Sequence, residues 1–304
     1  MLEPFKIFIK KYHYKYLMSG MLLMILGVWA FYPTPARSAE ISKTTTYLDL
    51  FEKAFAPRHW RAETFFMYPQ IWRQKKLFCI IADEQEIFLN TMISTIETIA
   101  AAYEKRHEIR IVPTPEHCPN DHYSVVIYYG KNPGFEGFKS IFSELTNGSL
   151  ESQIIDFGAQ LAFTIFLPGG TKRSFIFMNK IETGIHSNLE YLKAIFIEEL
   201  MHALSSGYDV SSDELISILA ENHDVPTYEK WYTKNPKGLC EFDLMALELI
   251  LNKSEDLEHR RYANFLDYFE VHFNDLAQAA KAKQPILEAI IDPRCRDGIS
   301  YRTE

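Results

Sequence analysis

Apolar positions along the chain fall into two regimes. Between Lys76 and Asn179 they come in short runs that fit buried strands: KLFCIIA over 76–82, then Glu108 to Val112, Tyr123 to Tyr129, Leu161 to Leu167 and Arg173 to Asn179. The stretch from Glu84 to Arg106 has helical spacing instead, through Ile87, Met92, Ile96, Ile99 and Tyr103. PTPEHCPND separates the second and third strand runs, Pro168-Gly169-Gly170 marks a hairpin between the last two, and a small helix is expected over Gly137 to Leu145. Upstream, Ile41 to Arg73 lacks clean periodicity and is read as one helix, about Tyr47 to Phe55, with irregular surface. A long helix is predicted from Asn188, a suitable N-cap, to Ser205, where Ser206 and Gly207 stop it. Beyond Gly207 the strand signal ends. Ser211 to Glu221, Glu241 to Asn252 and Ser254 to Lys283 all read as helices.

The predicted class is therefore α+β. A mixed α/β half over residues 76–210 ends in the Asn188 helix, an all-helical half covers 211–304, and residues 39–75 form an N-terminal extension. A crevice between two such halves is a usual place for a site.

The first 38 residues differ from the rest. They carry Lys6, Lys10, Lys11, Lys15 and Arg37 against Glu3, then an uncharged stretch from Leu17 to Tyr32, then small residues at Ala36, Ser38 and Ala39. This is the order of an export signal peptide, with a retained inner-membrane anchor as the alternative, and either leaves the body outside the cytoplasm, in the periplasm or secreted. Membrane contact is expected only through this segment, if it stays uncleaved. The net charge of -8 becomes more negative once the segment is set aside, which excludes a protein built to neutralise nucleic-acid phosphates. Cys79, Cys118, Cys240 and Cys295 form no CxxC pair. In an oxidising compartment they suggest two disulfides, with Cys79–Cys118 and Cys240–Cys295 preferred because each bridge then stays within one half; buried free thiols are the alternative.

The Asn188 helix carries the chemistry. Ala194 to Ile197 is apolar on every side, and Leu200, Met201, Ala203 and Leu204 continue the run, so the helix should be enclosed. Glu198, Glu199 and His202 interrupt it. Buried charge costs several kcal/mol, of order ~3–5 when a partner is missing, so these groups must be paired, hydrogen-bonded or metal-bound. Glu198 and His202 share a face, and Glu199 points about 100° away. Asp209 lies one loop beyond His202, so Glu198, His202 and Asp209 could hold a divalent metal such as zinc with a position open for water. Two readings compete with the metal. One is a buried Glu–His pair that only fixes packing. The other is a metal-free site in which Glu198 and Glu199 share proton chemistry.

The string EELMH resembles the HExxH helix of zincin metallopeptidases, with Glu198 in place of the first His, Glu199 at the general-base position and His202 at the second His. More narrowly, IEELMHALSSGYD, SSDELISIL and CEFDLMALELIL resemble an uncharacterised family of exported bacterial proteins whose helix reads EELxQxLGLxND, followed by a Ser-Ile-Phe segment and a Thr-x-x-Asp helix. The matching positions are Glu198, Glu199, Leu200, Ala203, Leu204, Asp209, Ser217, Ile218, Asp243 and Leu244, within Phe163 to Leu251. The chain departs from that family at His202, where Gln is usual, and at Ser205, where Gly is usual. The resemblance implies a zincin-like fold, namely a mixed sheet with a backing helix above an active-site-type helix, followed by the helical half. That family brings no demonstrated activity; the likeness to HExxH zincins implies metal-dependent peptidase chemistry in the cell envelope, with Glu199 as base and Tyr208 assisting the oxyanion. The alternative is a non-catalytic protein that uses the same cleft to bind a peptide or an envelope partner.

His122, His186, His223 and His272 are further candidates for a ligand. There is no GxSxG, and Pro168-Gly169-Gly170-Thr171-Lys172 lacks phosphate-loop spacing. The aromatic stripe Tyr262, Phe265, Tyr268, Phe269 and Phe273 is read as core packing.

Overall fold

The computed structural model describes residues 35–55, 72, 75–82, 87–119, 124–130, 162–166, 174–179, 188–205, 207, 209–211, 216–221, 235–253 and 262–296. By internal contacts the chain divides into residues 1–39 and 40–304. All that follows concerns the second unit, apart from the first turns of helix α1 (Pro35–Phe55). The small helix expected over Gly137 to Leu145 lies outside the described residues.

Among the described residues five strands make one sheet. These are β1 (Lys76–Ile81), β2 (His107–Val112), β3 (Ser124–Gly130), β4 (Ala162–Phe166) and β5 (Ser174–Asn179), in the order β2-β1-β3-β5-β4. The first four in that order run parallel, and β4 pairs antiparallel with β5, placing Thr164 opposite Ile176. Parallel neighbours need a crossover, and helix α2 (Ile87–Ala102) supplies the one between β1 and β2. Strand β1 is buried at every position, as its unbroken apolar run requires of a strand covered on both faces, whereas β2 at the sheet edge is only partly buried.

One face of the sheet presents Phe78, Ile80, Val125, Ile127, Tyr129, Ile176 and Met178 to the main core. Helix α2 and helix α3 (Leu189–Ser205) pack there, with Phe88 between Tyr129 (ring centroids 5.2 Å apart) and Phe196 (6.2 Å). The opposite face is tied by the Cys79–Cys118 disulfide.

The helical layer consists of α1, α4 (Glu241–Leu247), α5 (Tyr262–Val271) and α6 (Phe273–Leu287). Aromatic rings join it: Tyr47 meets Phe242 and Phe273 at 5.8 and 5.6 Å, and Phe51 stacks on Phe269 at 4.7 Å. Phe265, Phe269 and Phe273 are buried, so this part of the aromatic stripe is core. Helix α1 is longer than the expected Tyr47 to Phe55 and puts Tyr47, Leu50, Phe51, Ala54 and Phe55 into that core.

Two expectations for the second half are corrected. The described residues of Ser211 to Glu221, namely 211 and 216–221, are not helical: they belong to a pair of two-residue parallel strands, β6 (Val210–Ser211) and β7 (Ala220–Glu221), and to the turn before β7. The reason is local competition for the backbone, since the buried Asp243 carboxylate accepts the Ile218 amide and the Ser217 hydroxyl. Ser254 to Lys283 is not one helix either, because His272 leaves helical geometry (φ -107°, ψ 23°) between α5 and α6. Helix α4 continues as a wider π turn over Glu248–Lys253, where buried Glu248 pairs with Lys283 at 2.9 Å.

The second bridge, Cys240–Cys295, fastens the C-terminal segment to the start of α4, so both disulfides have the preferred pairing. Two such bonds suit an oxidising compartment outside the cytoplasm. Among the described residues no helix is long and apolar enough to cross a membrane.

Candidate functional site

Helix α3 is enclosed, as its composition demands. Asn188 caps it through Oδ1, which accepts the amides of Glu190 and Tyr191 at 2.9 and 3.4 Å. Every residue from Tyr191 to Ser205 except Lys193 is buried. Apolar packing alone would favour leucines at positions 198, 199 and 202. Instead Glu198, Glu199 and His202 are only 7–8% exposed, so each needs compensation for lost water.

His202 is held at both nitrogens. Nδ1–H donates to the carbonyl of Gly207 at 2.8 Å, and Nε2 lies 2.8 Å from a carboxylate oxygen of Asp209. Desolvation pushes the imidazole toward neutrality. The Asp209 hydrogen bond and charge, the Glu199 charge and the Gly207 carbonyl outweigh it and raise the pKa to about 9. Glu198, one turn earlier on the same face, brings a third donor: oxygen or nitrogen atoms of Glu198, His202 and Asp209 all lie within 4.8 Å of one another. Asp209 is 45% exposed at its side chain, so the group opens to solvent on that side.

Glu199 faces the sheet. The Thr164 hydroxyl, on edge strand β4, is shared between a Glu199 carboxylate oxygen at 2.6 Å and the Glu199 carbonyl at 3.0 Å. Glu199 is thus fixed one step round the helix from the three clustered residues, yet near enough for its charge to raise the His202 pKa.

Gly207 matters for the position of His202. A Cβ there would sit 2.8 Å from the Phe55 ring and 3.0 Å from Leu219, so the chain can pass close enough to offer its carbonyl to His202 only without a side chain.

The chain matches no family model, no curated protein and no solved structure.

The candidate residues therefore divide. Glu198, His202 and Asp209 come together, Glu199 stands beside them with Thr164, and Tyr208, His122, His186 and His223 lie outside the described residues. His272 is not a ligand here: it stacks on Tyr268 at 4.2 Å and meets Asp275 at 3.3 Å in the turn between α5 and α6. Thr164 and the Gly207 carbonyl are two contributors that reading by motif missed. The alternation of β4 carries the only signal for Thr164, a lone hydroxyl in an apolar edge strand beside the helix.

The donor set fits a divalent ion. Carboxylate oxygen and imidazole nitrogen are both zinc ligands at roughly 2.0–2.2 Å, which puts tetrahedral ligands about 3.4 Å apart, inside the spread found here. The Nδ1–H bond to a backbone carbonyl is the usual orienting contact of a metal-binding His, and here it turns Nε2 toward the Asp209 carboxylate.

Without metal, the His202–Asp209 ion pair makes stability depend on pH. The folded pKa of about 9 lies above the ordinary 6.5, so the stabilisation is fully present below about 6.5 and is lost as pH rises through 9. Chemical denaturation in chelator should show stability falling by about 1–3 kcal/mol between these limits, the half-exposed Asp209 reducing the full linkage value. A flat profile over this window would show that the pair does not hold His202 charged.

Proposed function

We propose that this chain is an exported zincin-like hydrolase of the cell envelope. Glu198, His202 and Asp209 hold one divalent ion, zinc or a similar metal, and Glu199 is the base toward a water molecule at that ion. The supporting observation is the convergence of three metal-competent side chains, two on an otherwise apolar, enclosed helix and Asp209 just beyond its end, with His202 already oriented through Gly207. The architecture agrees with the reading. A mixed sheet, helix α2 against one face, helix α3 on that same face beside the antiparallel strand β4, and helices in the second half support a zincin-like reading of this α+β chain. The two disulfides support export, with residues 1–38 as signal peptide or anchor.

A bound ion polarises a substrate carbonyl and lowers the pKa of its water. The chain's own residues do the rest. In this reading Glu199, held by Thr164, accepts a proton, and the half-exposed Asp209 leaves the site open to solvent on one side. Strand β4, last in the sheet order among the described residues, suits pairing with an extended chain, so a peptide is the favoured substrate in this reading.

One observation favours a second reading. The His202–Asp209 bond at 2.8 Å satisfies both groups without metal, as expected of a non-catalytic zincin-like protein that binds a peptide or envelope partner in the same cleft. Titration of chelator-treated protein with zinc, followed by assay on a mixed peptide library, separates the two. The hydrolase reading predicts about one ion per chain and cleavage that needs it. Binding of peptides without cleavage, and without zinc uptake, leaves the second reading.

A further inference from the structure

The loop after Asp209 is anchored from below. Asp243, fully buried in the first turn of α4, accepts three hydrogen bonds: from the Ser217 hydroxyl at 2.5 Å, the Ile218 amide at 3.0 Å and the Cys240 amide at 2.7 Å. Burial raises its pKa to about 6 in spite of these donors. Ser217 Oγ also accepts the Leu219 amide at 3.1 Å, and the Ala220 amide donates to the Ser217 carbonyl at 3.0 Å, closing a tight turn.

Both sides of the candidate metal group rest on that turn. The Leu219 carbonyl accepts the Val210 amide at 2.9 Å, and Val210 pairs with Ala220, which fixes the backbone next to Asp209. The Leu219 side chain lies against Gly207, whose carbonyl orients His202. A chain of contacts therefore runs from Asp243 through Ser217, Ile218 and Leu219 to the backbone on either side of residue 208. Helix α3 carries Glu198 and His202, whereas Asp209 lies beyond the helix, next to backbone held by this turn.

We propose that Asp243 is a positioning residue for the metal group: by gripping the turn at Ser217 and Ile218 it sets where Asp209 stands relative to His202. The inference rests on the metal reading of Glu198, His202 and Asp209. It predicts that the grip is felt as metal affinity and not only as stability, because contacts that orient ligands typically change affinity by about 10–100-fold.

The test compares zinc affinity and thermal unfolding of the wild type with Asp243→Asn, Ser217→Ala, Ser217→Thr and Glu248→Gln. Glu248→Gln is the control: it makes the same acid-to-amide change at a buried position farther along the same helical segment, paired with Lys283 and Asn252 rather than with the turn. Asp243→Asn should bind zinc about 10–100-fold more weakly and Ser217→Ala about 10-fold more weakly. Ser217→Thr, which keeps a hydroxyl, should recover most of the loss, and Glu248→Gln should lower the melting temperature while leaving affinity within about threefold. Should Asp243→Asn fail to fold, Ser217→Ala carries the test, since it leaves the carboxylate and its two amide bonds in place. Wild-type affinity in folded Ser217→Ala, or equal weakening by Glu248→Gln, overturns the positioning role and leaves the metal reading standing. A wild type that takes up no zinc overturns the metal reading and this role with it.

Discussion

Replacing His202 with alanine is expected to weaken zinc binding at least about a hundredfold. The imidazole is one of the three candidate ligands, and its Nε2 is the one nitrogen among them. Its removal leaves two carboxylates facing one another with no cation between them, which raises the cost of keeping both ionised. Stability should fall as well, by about 1–3 kcal/mol, because the Gly207 carbonyl and the Asp209 carboxylate each lose a partner in a site that is largely buried. Calorimetric titration gives the affinity and denaturant unfolding the stability. Unchanged affinity in the variant would mean that zinc, if bound, sits elsewhere.

Glu199→Gln is expected to separate chemistry from folding. The amide keeps an oxygen for the Thr164 hydroxyl, and the side chain keeps its size, so unfolding free energy should change by less than about 1 kcal/mol. The amide cannot accept a proton from water at neutral pH. Zinc-dependent peptide cleavage should therefore drop by about 10²–10⁴-fold at unchanged zinc affinity. Full activity in this variant would move the base elsewhere, and loss of folding would mark Glu199 as a structural carboxylate held by β4.

Much of this arrangement could be read from residue order because the relevant signals are local. Asn188 caps the helix it precedes, the apolar runs within 76–81 and 124–129 become buried parallel strands, and keeping each disulfide within one half finds both pairs. The grouping of Glu198, His202 and Asp209 follows from helical periodicity plus one short loop. What escaped reading depends on contacts distant in sequence. Thr164 meets Glu199 across 35 positions, in a register that only sheet pairing defines.

The turn at Ser217 holds apolar Ile216, Leu219 and Ala220 at spacing that suits a helix, yet Asp243, 26 positions later, captures its hydroxyl and the next amide. The break at His272 is hidden for a different reason. Phe269 and Phe273 keep a four-residue spacing across it, and neither Pro nor Gly marks the place.

On the reading proposed above, Glu198 and His202 on one enclosed helix and Asp209 just beyond it form a metal centre. A crystal structure of zinc-soaked protein, with anomalous data collected at the zinc edge, tests it most directly. A single strong peak about 2.0–2.2 Å from His202 Nε2 and from carboxylate oxygens of Glu198 and Asp209 is the predicted result. No peak there, with the His202–Asp209 hydrogen bond intact in the presence of zinc, would contradict it.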